Sequence, residues 1–178
     1  LVVTSAAGLT QNGALTIGSN ATLNATDITL ANTANSFGGT VAFTGATVAL
    51  FDSTALALAA STASGAATLT STAAITQTGV LAVGGNAAFT GTDITLNSAN
   101  TFTGTVAFTG ANVGITDSTP FSLAASTATG TLALTSGGAL TQTGTLTAGG
   151  NATLTATGDI SLTNTGNNFG GTVAFTGV

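Results

Sequence analysis

The sequence predicts an all-β fold, a parallel β-helix (β-solenoid), and three observations point to it. Similar segments recur in tandem, apolar and polar residues alternate over short runs, and Gly, Asn and Ser interrupt those runs every five to ten residues. Repeats at a fixed period are the signature of repeat architectures. The chain has 178 residues, enough to bury a core, so we expect a single solenoid over residues 1–178.

The repeat is clearest in its first part. This part reads LTQNGALTIGSNATLNATDITL from Leu9, ITQTGVLAVGGNAAFTGTDITL from Ile75 and LTQTGTLTAGGNATLTATGDISL from Leu140. Each copy continues through Asn and Gly residues to a TVAFTG element. Similarity of this length, in this order, predicts three copies of one structural unit.

The TVAFTG element fixes the period at about 65 residues. Its phenylalanines, 65 and 67 residues apart, are Phe43, Phe108 and Phe175. The sequence therefore predicts full repeats at 9–74 and 75–139, a truncated repeat at 140–178, and the tail of a preceding repeat at 1–8.

Within a repeat, apolar residues alternate with polar ones. Ile28 and Leu30 flank Thr29, and Leu81 and Val83 are likewise two residues apart. A period of two is typical of β-strands with one buried face, and no segment shows the helical period of 3.6. Each repeat divides into three blocks of about 20–24 residues. These blocks predict three-sided coils, about eight in all, stacked about 4.8 Å apart into a rod of about 40 Å.

Asparagine and glycine are expected at the corners of the coils. One repeat position always carries asparagine after a small residue: Asn20, Asn86 and Asn151. Because Asn and Gly adopt left-handed backbone conformations more readily than other residues, we expect such conformations at these corners.

The composition excludes most chemistry. The chain contains no Lys, Arg, His or Cys, so it lacks an imidazole base, a thiolate nucleophile and the usual zinc ligands. Without cations it has no electrostatic means of binding phosphates, and nucleic acid is excluded as a partner. No apolar run approaches the roughly 20 residues of a membrane-spanning helix. We expect no enzyme activity, no cofactor, no metal and no membrane insertion.

The five acidic residues occupy only two repeat positions. One position holds Asp27, Asp93 and Asp159, and the other holds Asp52 and Asp117. Clustered carboxylates would suit calcium binding or paired acid catalysis. Equivalent residues are expected three coils apart, however, roughly 14 Å along the axis. The favoured interpretation is that each aspartate accepts hydrogen bonds from backbone N–H groups at a turn.

Three other polar patterns have a structural interpretation beside a functional one. One repeat position carries a glutamine that either faces inward at a corner or binds a ligand: Gln11, Gln77 and Gln142. Asn-Ala-Thr triplets, which fit glycosylation or chance in a Thr-rich chain, begin at Asn20, Asn24 and Asn151. Thr-x-Thr triplets suggest a surface that binds ice or glycans, but neighbouring coils carry Ala42 or Thr29 in place of a Thr pair. The structural interpretation is favoured each time.

The run ITQTG–LxVGG–NAxFTxTDITL–TVAF resembles the repeats of filamentous haemagglutinin-type exoproteins, which use two-partner secretion, and of large autotransporter adhesins of Gram-negative bacteria. The resemblance implies a right-handed β-helical shaft within a longer polypeptide, located outside the cell or on the bacterial surface. Its partners would be neighbouring repeats of the same or an identical chain, with host or neighbouring cells contacted through other domains. A self-assembling fibre or sheath subunit is the alternative, and an ice- or glycan-binding solenoid a weaker one.

Overall fold

The computed structural model describes residues 1–178 and confirms an all-β parallel solenoid without helices. It has about nine turns of about 19 residues. The expected eight coils of 20–24 residues were therefore too few and too long. The corners are tighter than the sequence blocks suggested, since one strand often follows another after one or two residues.

Most strands contain two to six residues. In chain order they are β1 (Val2–Thr4), β2 (Leu9–Thr10), β3 (Thr16–Ile17), β4 (Ala21–Asn24), β5 (Asp27–Leu30), β6 (Ser36–Phe37), β7 (Thr40–Gly45), β8 (Thr47–Asp52), β9 (Leu56–Leu58), β10 (Ser61–Ala63), β11 (Ala67–Ser71), β12 (Ile75–Gln77), β13 (Leu81–Val83), β14 (Ala87–Thr90), β15 (Asp93–Phe102), β16 (Thr105–Gly110), β17 (Asn112–Asp117), β18 (Phe121–Leu123), β19 (Ser126–Ala128), β20 (Leu132–Ser136), β21 (Leu140–Gln142), β22 (Leu146–Ala148), β23 (Ala152–Ala156), β24 (Ile160–Ser161), β25 (Asn168–Phe169) and β26 (Val173–Thr176).

The strands form two 12-stranded parallel sheets and one small sheet. The first sheet runs from β1 to β26, the second runs from β2 to β24, and β3 pairs only with β6. A strand pairs with the strand one turn later. Val48, for example, lies opposite Ala67, which lies opposite Ala87. Because every rung is parallel, side chains of equal direction stack directly on one another along the rod.

The shape of a turn changes along the rod. In its first half, the short strands β9 and β10 both pair with the single strand β7 of the first sheet. Further along, β18 and β19 both pair with the single strand β16 of the second sheet. The side built from two short strands has therefore moved from one sheet to the other.

This change follows from the length of the repeat. A period of 65 residues divided by about 19 residues per turn is close to three and a half turns. Equivalent residues of successive repeats consequently alternate between sheets: Leu23 is on the first, Phe89 on the second and Leu154 on the first again. The expected spacing of three coils was wrong, and equivalent residues are about 17 Å apart along the axis.

The core is one continuous column of 37 buried apolar residues. The residues expected to face inward do so: Ile28, Leu30, Leu81 and Val83 are buried. Each such side chain contributes about 1.5–3 kcal/mol relative to full exposure. The column therefore stabilises the fold without disulfides or ion pairs.

The expected left-handed corners are absent, because no residue in the chain has a positive φ. Glycine is needed instead for close approach between turns. A Cβ on Gly39 would lie 2.5 Å from the carbonyl carbon of Ser19 in the preceding turn. A Cβ on Gly144 would overlap the backbone of Ala125. Stacking at the rung spacing leaves no room for a side chain that points at the neighbouring corner.

Candidate functional site

The candidates for a functional site are the polar side chains that recur along the rod. No group of three or more His, Cys, Asp or Glu residues is placed to hold a metal ion. The chain also forms no helix long and apolar enough to cross a membrane. The polar groups that repeat along the rod are glutamine–asparagine pairs, buried aspartates and corner residues, and each is described in turn.

Three glutamine–asparagine pairs each join two successive turns. In the central pair, Gln77 Nε2 donates to Asn100 Oδ1 at 2.8 Å, and Asn100 Nδ2 donates back to Gln77 Oε1 at 3.0 Å. Gln77 Nε2 also donates to the carbonyl of Gly79 at 2.6 Å. The same bonds join Gln11 to Asn35 and Gln142 to Asn167.

The asparagine of each pair serves backbone groups in the core. Asn100 is fully buried; its Oδ1 accepts from the N–H of Leu81 at 2.8 Å, and its Nδ2 donates to the carbonyl of Leu96 at 2.9 Å. Sequence reasoning noticed the glutamines but missed these asparagines. The available signal was a recurring Asn about 24 residues after each Gln. The arrangement satisfies buried polar groups and leaves no amide free to bind a ligand.

Asp52 and Asp117 are fully buried, at the ends of β8 and β17. The Oδ1 atom of Asp117 accepts from the N–H and the hydroxyl of Thr119, at 3.0 and 2.8 Å, and from the N–H of Phe102 at 3.3 Å. Asp52 accepts the equivalent bonds from Thr54 and Phe37. In both carboxyls the Oδ2 atom is buried and has no hydrogen-bond partner. Burial raises the pKa of Asp117, although the bonds from Thr119 and Phe102 oppose that rise.

The other three aspartates lie toward solvent. Asp27 Oδ1 accepts from the N–H of Thr47 at 2.9 Å, and Asp93 Oδ1 accepts from the N–H of Asn112 at 3.0 Å. Each bond reaches the next turn. The side chain of Asp159 makes no hydrogen bond. These carboxyls do not belong to any group of three or more residues that could hold a metal ion.

The corner asparagines hold successive turns together. Asn86 Oδ1 accepts from the N–H of Thr105 at 3.1 Å, and Asn20 and Asn151 make the same bond to Thr40 and Thr172. Asn20 and Asn151 also begin two of the Asn-Ala-Thr triplets. Their side chains are exposed, and their amide nitrogens make no bond within the chain.

The phenylalanines of the three TVAFTG elements differ in burial. Phe43 and Phe108 are 1% exposed, whereas Phe175, in the last strand, is 58% exposed. Phe102 lies between two further rings, with centroid distances of 5.7 Å to Phe89 and 6.3 Å to Phe121. Such contacts add to the stabilisation from area burial. All of these aromatic residues except Phe175 fill the core.

Outward threonines form a single rank along each of the two large sheets and no broad double rank. Along the second sheet, five consecutive rungs place these threonines side by side: Thr70, Thr90, Thr109, Thr127 and Thr147. The neighbouring rank is mostly alanine, since Thr68 lies between Ala49 and Ala88. The Thr-x-Thr pair is therefore not repeated in adjacent turns of this face.

The two terminal turns expose apolar surface. A cavity of about 500 Å³ is lined by Ile160, Leu162, Phe175, Gly177 and Val178 at the C-terminal end. At the other end, a cavity of about 390 Å³ is lined by residues that include Leu1, Leu9, Leu15 and Leu30. Both surfaces are the faces that turns in the middle of the rod bury against their neighbours.

A family model described as "Repeats of unknown function (DUF5649)" matches the chain in three consecutive segments, residues 1–44, 45–109 and 110–176. The central segment has the 65-residue length of the repeat. It begins at residue 45, whereas the repeats defined from the sequence begin at Leu9 and Ile75. No curated protein and no solved structure matches the chain.

Proposed function

We propose that this chain, which belongs to the DUF5649 repeat family, is the structural shaft of a large filamentous protein that is secreted or displayed on the cell surface. The observation that carries the proposal is the uninterrupted core of 37 residues, which lies between two parallel sheets that run the length of the rod. A repeat that stacks only on its neighbours lengthens the rod without changing its cross-section. Length and stiffness are what such an arrangement provides.

The composition supports an exposed location. A chain without Lys or Arg has no cleavage site for trypsin-like proteases. The resemblance of the repeat to haemagglutinin-type exoproteins supports the same location. Adhesion would then belong to other parts of the protein, because the repeated polar groups described above bond mainly to their own backbone.

The test is the length of the rod as a function of repeat number. Versions with one or two additional 65-residue repeats should be imaged by cryo-electron microscopy. Each repeat should add about 17 Å at constant width, with a rung spacing of about 4.8 Å. Particles that widen or become globular as repeats are added would contradict a shaft. Antibodies that label intact source cells would support surface display, and labelling only after permeabilisation would contradict it.

A self-assembling fibre subunit is the second candidate, favoured by the apolar end surfaces. Leu1, Val2, Phe175 and Val178 are 50%, 74%, 58% and 89% exposed. These surfaces fit either an adjoining turn of the same polypeptide or a second copy, since open strand edges pair readily. Filaments of the purified chain that dissociate on Phe175→Asp, but not on the mid-rod surface change Thr135→Asp, would establish assembly. Discrete rods for the unmodified chain would exclude it.

A further inference from the structure

The Asp117 carboxyl is buried without a compensating charge. It is fully buried, and its ladder neighbours are Asn100 on β15 and Ser136 on β20. The groups that donate to it come from Phe102 and Thr119. None of these groups titrates. The chain has no Lys, Arg or His, so no cationic side chain can pair with the carboxylate.

The hydrogen bonds to Asp117 reach only one of its two carboxyl oxygens. All three donors converge on Oδ1, and Oδ2 is buried with no partner. An ionised carboxylate in such a place loses hydration that nothing replaces, whereas the protonated form loses much less. Burial accordingly raises the pKa of Asp117, against the opposing effect of the Thr119 and Phe102 bonds.

Asp117 lies at the point in the rod where the shape of a turn changes. It ends β17, and Thr119, which it holds, leads into β18. From β18 onward, each turn contributes two short strands to the second sheet. Asp52 repeats this geometry one repeat earlier, where β9 opens the same kind of arrangement in the first sheet.

We propose that Asp117 is a pH-responsive element of the rod, which holds its proton to a higher pH in the folded state than in the unfolded chain and loosens the transition between the two turn shapes at β17–β18 when that proton is lost. Acid therefore stabilises this part of the rod and rising pH weakens it. This is the reverse of an aspartate held by a salt bridge, which loses its stabilising effect in acid.

The sign follows from linkage. In the folded state the proton is held to a higher pH than in the unfolded chain, where an aspartate has a pKa of about 3.9. As pH rises from about 4, the unfolding equilibrium constant should therefore increase, by at most about tenfold per pH unit for one such group. The increase stops once pH exceeds the pKa of Asp117 in the folded rod.

The experiment compares unfolding in denaturant from pH 3 to pH 8 in a chain carrying Asp52→Asn, which removes the second buried carboxyl. Adding Asp117→Asn should remove the pH-dependent increase, because the amide keeps the shape of the side chain and does not titrate. Adding Asp93→Asn, at a partly exposed corner, should leave the increase in place. An equal increase with and without Asp117→Asn would overturn the proposal.

A second measurement uses the unmodified chain, so it does not depend on whether a variant folds. The ¹³C chemical shift of the Asp117 carboxyl, followed by NMR in the unmodified chain, reports its titration in the folded state. A midpoint above the value of about 3.9 for an aspartate in an unfolded chain is expected. A midpoint at or below that value would overturn the proposal whatever the stability data show.

Discussion

Turns in the middle of the rod and turns at its ends share a sequence but differ in environment. Phe108 and Phe175 occupy one repeat position, yet the first is 1% and the second 58% exposed. The same holds for polar groups: Asn100 is fully buried, while its counterpart Asn167 is half-buried. In this fold, a residue therefore contributes more to stability when a turn lies on each side of it.

Truncation of the buried phenylalanine in a mid-rod TVAFTG element should destabilise the chain most. Phe108→Ala should lower the free energy of unfolding by about 3–5 kcal/mol, because it leaves a cavity in the apolar column. Phe175→Ala should change it by less than about 1 kcal/mol, because that ring already contacts solvent. Urea unfolding followed by circular dichroism measures both. Equal losses for the two variants would mean that the end turns are as well packed as the middle.

The next largest effect is at the buried amide. Asn100→Ala should cost about 2–4 kcal/mol, since it removes the buried hydrogen bonds to the Leu81 N–H and the Leu96 carbonyl. Asn167→Ala removes the equivalent bonds in the last turn, where water can replace them, and should cost less than half as much. The exposed Asn97, which makes no side-chain hydrogen bond, is the surface control. A loss at Asn97→Ala as large as at Asn100→Ala would contradict this account.

The smallest change in stability distinguishes two roles of glycine, namely close approach between turns and an unusual backbone conformation. Gly144→Ala should cost about 1–3 kcal/mol, because the new Cβ would overlap the backbone of Ala125 and the turn must shift. Gly13 occupies the same repeat position at the start of the rod, and nothing lies within 4 Å of its Cβ site. Gly13→Ala should be neutral or stabilising by up to about 1 kcal/mol. A comparable loss at both glycines would point to a conformational requirement that the φ values do not show.

Alternation of apolar residues was enough to identify the inward face. Ile28 and Leu30 are buried as expected, because a period of two in a strand leaves no freedom about which side chains share a side. The number of residues per turn could not be read in the same way. It depends on how tightly the corners close, and the Gly, Asn and Thr residues at the corners do not specify that.

The candidate site was foreseen only in part. The glutamines at 11, 77 and 142 were singled out as inward corner residues, but their asparagine partners were not. A pair 23 to 25 residues apart is recognisable only when the length of a turn is known. The two classes of aspartate were equally polar in the sequence. Their different burial depends on where each falls in a turn, and the misjudged turn length concealed it.

Period-two alternation and a 65-residue repeat were sufficient to predict a repetitive all-β rod, because they leave few other ways to bury the apolar residues. Tertiary structure alone decided that a repeat spans about three and a half turns, so that equivalent residues alternate between the two sheets. It also decided that glycine is needed at corners for contact between turns, and that Asp117 is enclosed while Asp93 is partly exposed to water. The physical reason is common to all three: they depend on which residues stack one turn apart, and closing the coil sets that distance.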